Sequence, residues 1–283
     1  MGNNIKKDMK IVKVELKPED RLKKALEKIK KECIRVMPVK AGFKKEQAAD
    51  VRFAGPAYAE AGDKPVICEG CGKPLSFVFQ FHDKYDENMK PSGDLHSVYY
   101  CFDCSPIGRP DEEHGQYLVV THKNPEVSKF VEVKENADKK LKATSCTLSK
   151  TYIIPDYDSI ENDYPEIAEI CEEIDCEDPM SAYEDAGNEI GCLMEPSTVI
   201  GGYPIWLQGY GDQKCPECEG RADLACQIDS EDAVKLMFGD AGSLYVFRCP
   251  VLCWLQGGWN FLCQEIRKVL RAVLRMRQPL PRC

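Results

Sequence analysis

The feature that most constrains this chain is a cysteine-bearing pattern that occurs twice, about one hundred and fifty residues apart. Each copy has a Cys-x2-Cys knuckle, a glutamine at the end of an apolar run, and an aromatic strand closing on more cysteine. In the first copy Cys68 and Cys71 lead to Gln80, and VYYCFDC supplies Cys101 and Cys104. In the second, Cys215 and Cys218 lead to Gln227, and LYVFRCPVLC supplies Cys249 and Cys253. The knuckle-to-glutamine distance is the same in both. A Gly/Pro turn with an aromatic just after it precedes each: Gly55-Pro56 with Tyr58, and Gly202 and Pro204 with Trp206. A pattern repeated at this length predicts a duplication, each half built around one cysteine cluster.

The thiol spacing points to metal. A structural zinc site needs four soft ligands in a tetrahedron, and two CxxC turns brought together by a sheet supply them. Cys68, Cys71, Cys101 and Cys104 form C-x2-C-x29-C-x2-C, and Gly70 and Gly72 let the backbone approach the sulfurs. The second set, Cys215, Cys218, Cys249 and Cys253, closes on a three-residue spacer, which structural zinc tolerates. Cys33, Cys171, Cys226 and Cys263 stand singly on apolar faces and read as small buried hydrophobes. The competing redox reading of CxxC wants a helix after the first thiol, and both knuckles flank strands. A shell of four cysteines leaves no open position for a catalytic water. The four histidines form no HExxH pair, and of them His96 is nearest the first cluster in sequence. No Walker loop, GxGxxG or nucleophile elbow is present.

The net charge of −9 conceals a segregation. Residues 1–50 carry fifteen Lys or Arg against eight acids, whereas 151–213 carry sixteen acids and no Lys or Arg. The acidic stretch argues against a nucleic-acid groove there and for contact with something basic, either a partner or the chain's own basic head. Its best helix is DYPEIAEICEEI, with Asp163 as cap, Pro165 in the first turn and an inner face of Ile167, Ile170, Cys171 and Ile174. Glu166, Glu169, Glu172, Glu173 and Asp175 on that helix are the candidate partner-binding residues. No apolar run approaches the ~18 residues of a membrane span. The N-terminus lacks the apolar core of a signal peptide, so the expectation is a cytoplasmic protein with reduced thiols.

The expected organisation has five parts: a basic N-terminal helical segment (1–50, helix over 18–34), a first cysteine-bearing β lobe (51–150), an acidic helical connector (151–196), a second β lobe (197–264) and a basic amphipathic C-terminal helix (265–283). Strands are predicted at 75–81, 97–102 and 117–121, with 130–133 as an added edge. Further strands are expected at ADLACQID, GSLYVFRC and GWNFLCQ, and 134–150 reads as a lysine-rich linker.

With these motifs in view, IGGYPIWLQ, ACQIDS and GDAGSLYVFRCP make residues 197–264 resemble the YwqG-like family of bacterial proteins of unknown function. The first cysteine-rich unit, through CEGCGKPLSFVFQF and HSVYYCFDC, is similar to it and to the duplicated unit of the eukaryotic programmed-cell-death-protein-2-like proteins. The resemblance implies an α+β fold, mainly antiparallel β-sheets in two duplicated, pseudo-symmetric lobes with flanking helices. It brings no catalytic residues, and from the eukaryotic side it implies protection of a newly made ribosomal protein. The expected function is thus a non-enzymatic, zinc-stabilised protein-interaction module for a basic, chaperoned partner. The alternatives are an enzyme, either a thiol oxidoreductase using Cys68 and Cys71 or a hydrolase between the lobes, and nucleic-acid binding through the basic termini.

Overall fold

The computed structural model of the chain describes residues 16–86, 93–104, 117–207, 214–215, 218–239 and 241–249, together with the backbone of 271–275. Its strands are β1 (Lys31–Ala41), β2 (Arg52–Phe53), β3 (Ser76–His82), β4 (Leu95–Tyr100), β5 (Tyr117–His122), β6 (Thr144–Ile153), β7 (Val199–Ile200), β8 (Asp223–Asp229) and β9 (Ser243–Arg248), with a short tenth, β10 (Arg271–Arg275). The helices are α1 (Pro18–Ile29), α2 (Tyr157–Asp163), α3 (Pro165–Ile174) and α4 (Pro179–Glu189). All ten strands belong to one antiparallel, curled half-barrel sheet, in the order β10-β9-β8-β7-β1-β6-β2-β3-β4-β5.

The α+β, antiparallel expectation holds, but the two separate lobes are corrected to one continuous sheet. The reason lies at its centre. β1 and β6 pair from Lys31 opposite Ile153 to Ala41 opposite Thr144, with a register shift at Pro38, which has no N–H to donate. β2 then joins β6, although it follows β1 in the chain, and β7 joins β1, although it follows β6. The long strands are thereby exchanged between the halves. The largest apolar cluster accordingly mixes Phe53, Phe79, Phe81 and Val98 with Ile200, Ile228, Leu236 and Leu244.

Local geometry recurs across the two arms at an offset of 147 residues, from Gln80 to Gln227. Arg52 and Phe53 sit opposite Gln80 and Phe79, as Val199 and Ile200 sit opposite Gln227 and Cys226. A register shift falls between Phe77 and Phe79 in one arm and between Leu224 and Cys226 in the other. Each glutamine is fully buried and clamps the chain leaving the Gly turn. Gln80 Oε1 accepts from the Tyr58 N–H at 3.3 Å, and its Nε2 donates to the carbonyls of Ala48 (2.7 Å) and Asp50 (2.8 Å). Gln227 Oε1 accepts from the Ile205 N–H at 3.0 Å, and its Nε2 donates to the Ile205 carbonyl at 3.3 Å.

Several sequence expectations are corrected. The first helix ends at Ile29, not 34, and the chain turns at once into β1, where Ile34 and Val36 are buried and both edges find partners. The linker expected at 134–150 contains most of β6, whose weak apolar pattern reflects side chains left half-exposed while its backbone is held on both edges. Residues 130–133 form no strand, and Phe130 packs on Tyr58 and Phe43 instead. Within 265–283, expected as a helix, Arg271–Arg275 are extended and pair with β9, whose outer edge would otherwise leave backbone groups unpaired. The strand expected at GWNFLCQ lies outside the described residues.

Helices α1, α3 and α4 bury Leu22, Leu26, Ile167, Cys171 and Tyr183 in one cluster. α1 opens on Pro18 with Glu19 and Asp20 in its first turn, as its macrodipole favours. α3 opens on Pro165 with Tyr164 at its cap, while Asp163 ends α2 and pairs with Arg221 at 2.6 Å. The basic head meets the acidic stretch in cis through Arg21 to Glu173 at 2.9 Å and through Lys23 to Glu189.

Replacing Gln80 by Leu keeps its volume but strands two carbonyls and one N–H. Urea unfolding should show a loss on the order of 3 kcal/mol, larger than for Gln227→Leu, which releases only groups of Ile205.

Candidate functional site

The first cysteine cluster is built from a turn and a strand end. The knuckle hairpin is closed by the Cys68 N–H donating to the Lys73 carbonyl at 2.8 Å and the Gly72 N–H donating to the Cys68 carbonyl at 2.9 Å. Gly72 takes φ +71, in the left-handed region that glycine enters freely. The second pair leaves the end of β4: Tyr100 is held opposite Ser76, and Cys101 and Cys104 follow. There the Cys104 N–H donates to Cys101 Sγ at 3.4 Å. Leu75, Phe77 and Tyr99 form the apolar floor.

These four sulfurs lie within 4.8 Å of one another. Cys68 Sγ is 3.8 Å from Cys104 Sγ, and Cys71 Sγ is 3.7 Å from Cys101 Sγ. A disulfide would require ~2.05 Å. A tetrahedron with metal–sulfur bonds of ~2.3 Å has edges of ~3.8 Å, so the spacing fits a bound ion. In the thiol form, hydrogen bonding from the Lys73 backbone lowers Cys71, burial raises Cys101, and the bond with Cys71 pushes Cys104 up to about 12. A cation would replace those shared protons.

The second cluster repeats the hairpin. The Cys215 N–H donates to the Gly220 carbonyl and the Glu219 N–H to the Cys215 carbonyl, both at 2.8 Å. Cys249 follows Arg248, the last β9 residue, which is paired with Asp223. Cys215, Cys218 and Cys249 lie within 4.8 Å of one another, with Cys218 Sγ and Cys249 Sγ 3.4 Å apart. The expected fourth member, Cys253, lies outside the described residues. The lone cysteines behave as expected: Cys33, Cys171 and Cys226 are buried, and burial pushes Cys33 up to about 12 and Cys171 to about 11. Cys263 is outside the described residues.

A positioning residue escaped the sequence reading. Asn136 is 2% exposed. It accepts from the Val66 N–H at 2.9 Å and donates to the carbonyls of Val66 (2.8 Å) and Leu75 (2.7 Å), fastening both ends of the first knuckle hairpin. Its signal was an asparagine inside a run of Lys and Glu, which composition alone reads as solvent-facing.

Glu166, Glu169, Glu172, Glu173 and Asp175 are all exposed on α3 or at its end. Glu173 is taken by Arg21. Asp175 Oδ1 accepts from the N–H groups of Glu177 (3.0 Å) and Asp178 (3.1 Å), which makes it a turn residue. His96 is not in the cluster; it meets Thr121 Oγ1 at 2.9 Å, and burial pushes it down to about 4.

The fold and site define an antiparallel-sheet protein with two cysteine clusters that could hold a metal ion. The family model described as a domain of unknown function, DUF1963, matches residues 51–248, and the chain belongs to that family. No curated protein matches it. The matched span leaves out β1, although β1 lies at the sheet's centre. Among the described residues no helix is long and apolar enough to cross a membrane.

Glu219 holds φ +56 at the position equivalent to Gly72. An L-residue there costs about 1 kcal/mol, so Glu219→Gly should raise stability by about that amount. Gly72→Ala should lower it equally, since its added Cβ meets nothing within 4 Å; chemical denaturation of the two variants checks the pair.

Proposed function

We propose that this chain is a non-enzymatic, zinc-stabilised protein-interaction module that arose by internal duplication. The observation that carries the reading is the four-thiol cluster of Cys68, Cys71, Cys101 and Cys104, whose sulfur spacing matches the edges of a tetrahedron around zinc. Four thiolates close that shell and leave no position for a substrate or water, which favours a structural role over catalysis. The second ion would be held by Cys215, Cys218 and Cys249, with Cys253 as fourth ligand. Among the described residues the cysteines are free thiols, which suits a cytoplasmic setting. The finer likeness to the YwqG-like and programmed-cell-death-protein-2-like proteins supports this reading, and the latter suggests a chaperone-like role toward a basic protein.

The receiving surface would be the free part of α3. With Glu173 and Asp175 engaged within the chain, Glu166, Glu169 and Glu172 are left to water. They suit the lysines and arginines of an extended basic segment, while the basic head supports the same helix from its buried side.

Zinc analysis of the purified full chain should give two ions per chain, falling to one in Cys71→Ser. Asn136→Ala, which spares every thiol, should weaken zinc binding at the first site by about tenfold. Protein without zinc whose melting temperature ignores chelator would refute the metal reading.

Binding of a fluorescent Lys/Arg-rich peptide should weaken about tenfold at low salt when Glu169 and Glu172 are both changed to Lys. Glu173→Lys should instead lower stability by disturbing α1. Unaltered peptide affinity in the double variant would assign the acidic stretch to packing within the chain.

A further inference from the structure

One buried charge in the first arm has no counterpart in the second. Arg52 in β2 is 3% exposed. Among the described residues it forms no ion pair with a carboxylate; its Nη1 donates to the Ala54 carbonyl at 2.6 Å and its Nη2 to the Pro56 carbonyl. The guanidinium lies between the rings of Phe43 (4.9 Å) and Phe77 (5.1 Å), and Nε has no hydrogen-bond partner among the described residues. Burial lowers its pKa to about 10, which leaves it charged at neutral pH. A buried charge without an ionic partner is costly even when carbonyls accept from it. The equivalent position in the other arm is Val199, opposite Gln227 as Arg52 is opposite Gln80. The strand geometry therefore accepts an aliphatic residue at this place.

Arg52 lines a cavity of about 160 Å³. Phe43, Val51 and Leu148 give it an apolar wall, and His82, Lys84 and Asp50 contribute polar groups. His82 is 9% exposed, and its Nε2 is fixed on the Ala49 carbonyl at 2.6 Å. Lys84, also in the lining, is exposed with its Nζ 5.0 Å from the Tyr85 ring centre. With His82 neutral, Arg52, Lys84 and Asp50 sum to one positive charge. The volume is well below the ~300–1,000 Å³ of drug-sized sites.

We propose that this cavity binds a small organic carboxylate, its anionic end toward Arg52 and Lys84 and its short carbon chain on Phe43, Val51 and Leu148. A single net positive charge beside an apolar wall matches a monoanion with a few carbons better than a phosphate dianion, which Asp50 would oppose. None of the cluster cysteines lines this cavity, and its test is read on the zinc-replete chain, so the proposal does not rest on the metal reading.

Isothermal titration of the full zinc-replete chain with sodium propanoate, at constant ionic strength, tests it. The expected result is saturable one-to-one binding, weakened about fivefold in Lys84→Gln, a loss in the range of an exposed charge contact. Binding should be abolished in Arg52→Val, which adopts the residue of the equivalent position. Arg52→Val also frees the Ala54 and Pro56 carbonyls, so it should unfold at lower urea than the parent. Lys84→Gln, at an exposed position, keeps the test open if Arg52→Val fails to fold. Absence of saturable heat with propanoate, undiminished binding in either variant, or tighter binding of inorganic phosphate than of propanoate would overturn the proposal.

Discussion

The ladder between β1 and β6 runs from Lys31 opposite Ile153 to Ala41 opposite Thr144, and the rest of the sheet is registered from it. Each of these strands carries on its outer edge the short strand of the opposite arm, β7 on β1 and β2 on β6. A slip of one residue in this pairing would turn Ile34 and Val36 outward and carry β7, β8 and β9 with them. The exchange also explains why the two arms share a core. Neither can close its own sheet without the other's long strand, so separation would expose backbone edges on both.

The cysteine clusters stand toward the outer parts of this sheet, beyond the reach of the ladder. Each knuckle is a hairpin with one isolated bridge, Ile67 with Pro74 or Lys214 with Arg221, which is too little backbone pairing to hold it. In the first arm Asn136 and the floor of Leu75, Phe77 and Tyr99 add support from below. Thiols drawn from a hairpin and from a strand end more than twenty residues later close a long loop when they share an ion, and that is where a cross-link is most effective. The second arm lacks an equivalent of Asn136 among its described residues and carries the strained Glu219 in place of Gly72. Its hairpin therefore depends more on its cluster than the first does.

Strands with a strong apolar pattern were legible in the sequence: β3, β4, β5, β8 and β9 fall within a residue or two of their expected places. So were the thiols of the first cluster, because CxxC spacing reports a local turn and the following aromatic strand brings the second pair to it. What was not legible depended on long-range pairing. β6 has few buried side chains and owes its strand to backbone partners far away in sequence. β1 continues a lysine-rich helical run, and nothing local marks Lys30 as the point of change. Asn136 and Arg52 were missed for a related reason: their roles are set by the carbonyls and rings that other segments bring to them.

Where the two arms differ, the difference follows from contacts between them. Arg248 at the end of β9 meets Asp86, just past β3, at 3.2 Å, and both side chains are almost wholly buried. Asp86 lies against the turn after β7, where a Cβ on Gly201 would come within 3.0 Å of Asp86 Oδ1. Gly201 takes φ +74, and its counterpart Ala54 takes φ +50. The left-handed turn is thus required in both arms, but only one can accept a methyl group, because only one is crossed by the other arm's carboxylate. The ion pair that binds the arms together also fixes which turn must be glycine. Local repetition and global asymmetry are in this way consequences of the same exchanged sheet.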